Sequence, residues 1–178
     1  ANLMTKWRWG IEMLGAKRRN FGNIVGHVEG ITDTADLGAW TAQSFDLTLD
    51  WDKVAKIKAK WGGKVILKGI LEAEEAKMAR KGGADAILVA NHGGRQLDGA
   101  LSAIRALPSI MEAVGDEVEV HLDSGIRSGQ DVLKALALGA KGTYIGRAFI
   151  YGLGAMGQEG VTRALEVIHR ERDLTTAL

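Results

Sequence analysis

The sequence predicts an α/β protein built on a parallel sheet, and two observations carry that prediction. From Lys64 onward, short apolar runs alternate with helical patterns over short connections, the order in which strand, helix and strand form right-handed βαβ crossovers. Those apolar runs are continuous rather than alternating, as parallel strands covered on both faces require.

The elements follow in order. Val65-Ile66-Leu67 is the first strand, and Glu72 to Lys81 the helix behind it, with Ala76 and Ala79 on its inner side. Asp85 to Ala90 is the second strand and Leu101 to Val114 its helix. Glu117 to Leu122 is the third strand, followed by a helix over Gly129 to Leu138 with Asp131 favourable near its positive end. Gly142-Thr143-Tyr144-Ile145 is the fourth strand, and a helix from Glu159 to Arg172 closes the series. Upstream, Trp51, Val54, Ile57 and Trp61 repeat at helical spacing and predict a helix over Asp50 to Lys60.

Residues 1–48 read differently from residues 49–178. Met4, Trp7, Ile11 and Leu14 form a helical apolar stripe widened by Trp9 and Met13, and Lys6, Arg8, Lys17, Arg18 and Arg19 make its surroundings basic. Two readings stand: a helix lying in an anionic membrane interface, or one packed on its own domain or on a partner subunit, since tryptophans need cover. Phe21 to Asp46, rich in glycine and weakly periodic, reads as a long irregular excursion.

Composition narrows the function classes. A chain of 178 residues that is 46% hydrophobic buries a real core. The absence of Cys excludes disulfides and thiolate metal sites. His27, His121 and His169 lack metal-ligand spacing, so no metal site is expected, and a net charge of +1 gives no general attraction to nucleic acid. No apolar run reaches transmembrane length, and the start does not read as a signal peptide.

The chemistry gathers at predicted strand ends, where α/β proteins keep their active sites. Asn91-His92-Gly93-Gly94-Arg95-Gln96-Leu97-Asp98 follows the second strand. An imidazole accepts a proton near neutral pH, and a guanidinium grips a carboxylate through two parallel hydrogen bonds. His92 and Arg95 therefore suggest an enzyme acting on an organic acid. Lys68 ends the first strand, where a lysine can also simply snorkel to solvent. Asp123-Ser124-Gly125-Ile126-Arg127 and Gly146-Arg147 follow the third and fourth strands. Glycine-turn N–H groups and two arginines make a phosphate cradle, which a sugar-phosphate barrel enzyme would also use.

Val65 to Gly69, Asn91 to Asp98, Asp123 to Arg127, and Ala135 to Ala140 through Gly146-Arg147 together resemble the FMN-dependent 2-hydroxy acid dehydrogenase and oxidase family. Within it the chain looks most similar to the bacterial quinone-linked L-lactate dehydrogenases. The resemblance implies the C-terminal half of a (β/α)8 TIM barrel, whose complete members run to about 350 to 400 residues. It implies FMN as cofactor, with Lys68 beside the flavin N1 and C2 carbonyl and Asp123 on the ribityl hydroxyls. Ser124, Gly125, Arg127, Gly146 and Arg147 would lie at the phosphate or the flavin edge. His92 is then the catalytic base and Arg95 the carboxylate ligand. Proton loss from the hydroxyl with hydride transfer, and removal of the α proton to give a carbanion, both remain open. Ala90 stands where many relatives have a serine beside the flavin, which puts the fine redox tuning in doubt. The resemblance further implies an N-terminal barrel half in the same or another chain, carrying further substrate residues and the aspartate that pairs with the histidine. A small 2-hydroxy acid, a quinone, an anionic bacterial membrane on its cytoplasmic side and a second copy of the chain are the expected partners.

Overall fold

In a computed structural model, the residues described are 7–15, 24, 27–30, 34–46 and 48–177. The chain divides into two compact units, Ala1–Leu49 and Asp50–Leu178.

In the first unit, helix α1 spans Trp7–Gly15 and α2 spans Thr34–Ser44. Trp7, Trp9, Ile11 and Leu14 are all exposed on α1, Leu14 to 78%. Met4, Lys6, Lys17, Arg18 and Arg19, which complete the expected stripe and its basic surround, lie outside the described residues. Helix α2 corrects the expectation of an irregular stretch from Phe21 to Asp46. Its apolar signal is carried by Leu37 and Trp40 alone among small and polar residues, so the period is faint. Leu37 is nevertheless buried, and the Thr41 hydroxyl donates back to the Leu37 carbonyl at 2.7 Å.

The second unit begins with α3, Trp51–Trp61. Asp50 caps its first turn by accepting from the Lys53 N–H, and Gly62, at φ 68°, ends it in the left-handed conformation that suits glycine. There follow β1 Ile66–Ile70, α4 Ala73–Lys81, β2 Ala86–Val89, a short 3₁₀ turn His92–Gly94, α5 Ala103–Val114, β3 Glu119–Asp123, α6 Gly129–Ala137, β4 Gly142–Tyr144 and α7 Arg147–Thr176. All three strand pairings are parallel, in the order β1-β2-β3-β4. This is the βα series read from the sequence. The last helix is longer than expected, because Arg147 starts a helical stretch straight after β4. Gly157 (φ 62°, ψ −139°) interrupts it, and the expected helix from Glu159 is the part beyond that break.

The core lies between the sheet and its helices. Ile87 and Val89 of β2 and Val120 and Leu122 of β3 pack with Ala106, Leu107 and Ile110 of α5 and with Ala76 and Ala79 of α4. Side chains alternate across a strand, so Lys68, Leu88, His121, Asp123 and Tyr144 belong to the opposite face. That face is partly open: Ile66 is 50% exposed and Tyr144 43%. β1 and β4 each pair on one side only, as in half of a closed barrel. The four-stranded parallel sheet with its helices is thus the α/β half-barrel expected from the sequence.

At the N-terminal ends of the strands, Asp85 ties three segments together. Its carboxylate accepts from Lys58 Nζ of α3 at 2.5 Å, from Lys64 Nζ at 2.9 Å and from the Val65 N–H at 2.8 Å. The Lys58 hydrogen bond foremost, then those from Val65 and Lys64, hold the Asp85 carboxyl well below the usual carboxylate range. A carboxyl whose folded pKa lies below its unfolded value of about 3.9 contributes stability that is fully present above that pH. The contribution is lost as the pH falls toward the lowered folded value. Asp85→Asn in a protein with the barrel completed is therefore expected to lower Tm at neutral pH, with the gap from wild type narrowing below about pH 4. Thermal melts across pH check this, and a gap that stays constant down to acid pH would remove Asp85 from the acid sensitivity.

Candidate active site

Parallel strands end on the same edge of a sheet, and at this edge the structure assembles one cavity of about 170 Å³. It is lined by Lys68 from β1, His92, Gly93 and Arg95 from the turn after β2, Asp123, Ser124, Gly125 and Arg127 from the end of β3, and Gly146 and Arg147 after β4. Every site residue named from the sequence is thus on one surface. Tyr144 and Ile150 also line it and were not singled out from the sequence. Tyr144 was legible only as a strand residue, and its place in the cavity depends on the register of β4 beside β3, Asp123 opposite Tyr144. Its ring lies 5.9 Å from that of His121, centre to centre, tilted at 56°.

Each side chain is placed by a local device. Lys68 precedes a shift of register between β1 and β2, where Gly69 adopts φ 100°. Its ammonium pairs with Asp123, reaching across β2 on the inner face, an ion pair the sequence reading did not anticipate. His92 sits at φ 56° in the 3₁₀ turn, followed by Gly93 at 67° and Gly94 at 74°. The Asn91 side chain caps this turn by accepting from the Gly93 N–H at 3.1 Å. Arg95 folds back on the same turn, its Nε donating to the His92 carbonyl at 3.4 Å. Arg127 stands just before α6, whose Ser128 and Asp131 form a reciprocal capping box. The Asp131 carboxylate also accepts from the Arg127 N–H at 3.0 Å, which fixes the backbone from which that guanidinium projects. Arg147 donates to the Gly93 carbonyl at 3.0 Å.

The electrostatics favour anions. Lys68, Arg95, Arg127 and Arg147 line the cavity against a single carboxylate, Asp123, which is engaged by Lys68. Gly125 and Gly146 present bare backbone to it, with open space where a Cβ would stand. These features fit a phosphate-bearing cofactor: exposed main chain for close approach, two arginines for charge, and a cation and a carboxylate farther along for the rest of the molecule. Among the described residues, no group of three or more His, Asp or Glu is placed to hold a metal ion.

Fold and site together define an α/β protein with a cation-lined cavity at the strand ends of a half-barrel. The profile of the FMN-dependent dehydrogenase family matches residues 1–178, and the chain belongs to that family. It is 44% identical over 178 residues to an L-lactate dehydrogenase of Caulobacter vibrioides, covering 100% of this chain and 46% of that protein. It is 47% identical over 173 residues to an L-lactate dehydrogenase of Azorhizobium caulinodans, covering 97% and 45%. Among solved structures it is similar to the monotopic membrane protein (S)-mandelate dehydrogenase, with TM-score 0.87 and 34% identity over 96% of this chain and 44% of that one. A mandelate oxidase variant carrying an FMN monooxide adduct matches with TM-score 0.67 and 48% identity, over 70% of this chain and 40% of that one. The chain spans about half the length of the curated relatives it matches.

The geometry of the turn yields one prediction before any activity is considered. An alanine methyl at Gly93 would sit 2.8 Å from Arg147 Nη2, whereas at Gly94 it would meet nothing, although both positions have positive φ. In a protein with the barrel completed, Gly93→Ala and Gly94→Ala both lower Tm through the left-handed backbone, and Gly93→Ala lowers it further by displacing Arg147. Equal shifts in the two melting curves would show that the Arg147 contact carries no weight.

Proposed function

We propose that this chain, joined to the other half of its barrel, binds FMN and oxidises an L-2-hydroxy acid, L-lactate first, to the 2-oxo acid with quinone as final electron acceptor. The observation that carries the reading is the convergence of His92, Arg95, Lys68, Asp123, Ser124, Gly125, Arg127, Gly146 and Arg147 on one cavity. The L-lactate dehydrogenases among the relatives favour lactate as substrate, with mandelate the second reading, supported by the similar solved structures.

Arg127 and Arg147, with the bare backbone of Gly125 and Gly146, hold the cofactor phosphate, and Ser124 lies beside it. Asp123 takes the ribityl hydroxyls and keeps the Lys68 ammonium in place. FMN, when bound, supplies the two-electron sink for the oxidation. Lys68 places positive charge where electron arrival creates negative charge, which favours the reduced state. Arg95 binds the substrate carboxylate through its planar fork, a geometry that an ammonium point charge cannot reproduce. His92, three residues away on the same turn, accepts the proton that the substrate gives up as it becomes a 2-oxo acid. The aspartate partner for this histidine is expected from the other half of the barrel.

His92→Ala in the complete enzyme is expected to retain FMN absorbance while anaerobic flavin reduction by L-lactate slows by about 10²-fold to 10⁴-fold, the usual scale of lost acid–base catalysis. Stopped-flow spectra recorded with L-lactate, glycolate and (S)-mandelate test both role and substrate. Near-wild-type reduction by the variant would end the assignment of His92, and preferential reduction of wild type by mandelate would overturn lactate.

We also infer peripheral association with a membrane through α1, where Trp7, Trp9, Ile11 and Leu14 are exposed. The solved (S)-mandelate dehydrogenase, named a monotopic membrane protein, supports this. No helix among the described residues is long and apolar enough to cross a bilayer. Replacing Trp7 and Trp9 by Ser should release the complete enzyme from anionic vesicles without abolishing its reaction with a soluble electron acceptor. Cosedimentation and activity on the same sample check this. Unchanged vesicle binding by a folded variant rules out the anchor, and loss of assembly in solution assigns the tryptophans to a subunit contact.

A further inference from the structure

The residue assigned as the base occupies a backbone conformation that a side chain with a Cβ adopts only under constraint. His92 stands at φ 56°, and a left-handed conformation in a non-glycine residue persists where its surroundings over-determine it. Part of the constraint is local: the Gly94 N–H donates to the Asn91 carbonyl at 3.0 Å, and the Gly93 N–H to Asn91 Oδ1 at 3.1 Å. The rest comes from distant segments and converges on one residue, Gly93. The Gly93 N–H also donates to Ser124 Oγ at 3.1 Å, 31 residues along the chain, while the Gly93 carbonyl accepts from Arg147 at 3.0 Å. Ser124 is itself held at φ 85°, and its own N–H donates to Asp123 Oδ1 at 2.7 Å, so its hydroxyl is presented from a fixed loop.

We propose that Ser124 is a positioning residue for His92, acting through the Gly93 N–H. The inference rests on the reading of His92 as the base of hydroxy acid oxidation, and it gives Ser124 a task beyond the cofactor contact expected of it. The hydroxyl oxygen accepts from Gly93, which leaves the hydroxyl hydrogen free to be donated elsewhere. One side chain thereby links the cofactor cradle after β3 to the catalytic turn after β2, and Arg147 makes a second link from β4. Removing the Ser124 acceptor leaves Asn91 as the sole partner of a donor that is shared in the native turn. The turn then loosens, and the imidazole spends less time in reach of the substrate hydroxyl.

The test uses the complete enzyme with Ser124→Ala and Ser124→Gly. Glycine accepts φ 85° more readily than serine, so the second variant removes the hydroxyl without adding backbone strain. Two quantities are measured at saturating FMN: the limiting rate of anaerobic flavin reduction by L-lactate, and hydrogen exchange of the amides across residues 91–95. Both variants are expected to reduce flavin about tenfold more slowly, the scale of one lost hydrogen bond, and to exchange the Gly93 amide severalfold faster. Wild-type reduction at saturating FMN would overturn the proposal, even if FMN affinity fell, since that pattern belongs to a cofactor contact alone. Slow reduction with unchanged exchange would overturn the route through Gly93. Should the wild-type enzyme fail to be reduced by any 2-hydroxy acid, the functional reading fails separately. The positioning of a base for that reaction then falls with it, while the exchange data still report whether Ser124 holds the turn.

Discussion

Four strands running in one direction must all end on one edge, and the site of this protein is a consequence of that constraint. Lys68 and Asp123 are separated by 55 residues and form an ion pair, and Gly93 and Arg147 are separated by 54 and share a hydrogen bond. Neither pair could meet if one strand were reversed, since its loop would move to the other end of the sheet. The register does the finer work. Lys68 pairs with Leu88, Leu88 with His121, and Asp123 with Tyr144, so the inner-face residues of adjacent strands align in rows across the sheet. A lysine in the middle of β1 then reaches a carboxylate at the end of β3, two strands away.

The gathered charge is unbalanced, and the imbalance favours anions. Four cations and one carboxylate line the cavity, so the phosphate and the small carboxylate proposed for it would both gain from entering. They need not compete, because the cations are distributed by strand. Arg95 lies on the turn after β2, and Arg127 and Arg147 follow β3 and β4. A phosphate at the glycine-rich backbone of Gly125 and Gly146 leaves the Arg95 fork for a carboxylate beside His92. Exposed charges interact weakly in water. Covering the open inner face would lower the local dielectric and strengthen each of these contacts, a contribution that falls to the other half of the barrel.

Much of this was legible in the sequence because the physics is local. Continuous apolar runs such as Ala86-Ile87-Leu88-Val89 identified the parallel strands, and glycine-bearing segments after them identified the site loops. Asp131, favourable at the positive end of the helix over Gly129, is a local signal of the same kind, and the structure adds its reciprocal cap with Ser128. What escaped depends on tertiary geometry. The α2 helix rests on the burial of Leu37 and has almost no periodicity to announce it. The pairing of Lys68 with Asp123, the lining role of Tyr144 and the sharing of the Gly93 N–H by Asn91 and Ser124 require the register between strands. Composition and spacing carry no record of it. The roles of individual residues came from the motif resemblance, whereas the chemistry of an imidazole beside a guanidinium was readable from the residues alone.

The two faces of the sheet divide the labour between stability and the candidate site. The buried side chains of β2 and β3, Ile87, Val89, Val120 and Leu122, pack with the helices in one outer core. Asp85 closes the lower end of the same layer by tying α3 and the start of β1 to the approach to β2. The inner face carries Ile66 and Leu88 together with Lys68, His121, Asp123 and Tyr144, polar groups that would be poor core-formers. Burial of apolar area against the helices therefore fixes where each strand ends, and strand ends fix where each loop begins. The strained turn at His92 is affordable in this arrangement because it sits on a rigid strand terminus and is held from two neighbouring loops. Precision at the site is thus supplied from behind the sheet, which leaves the front free for charge.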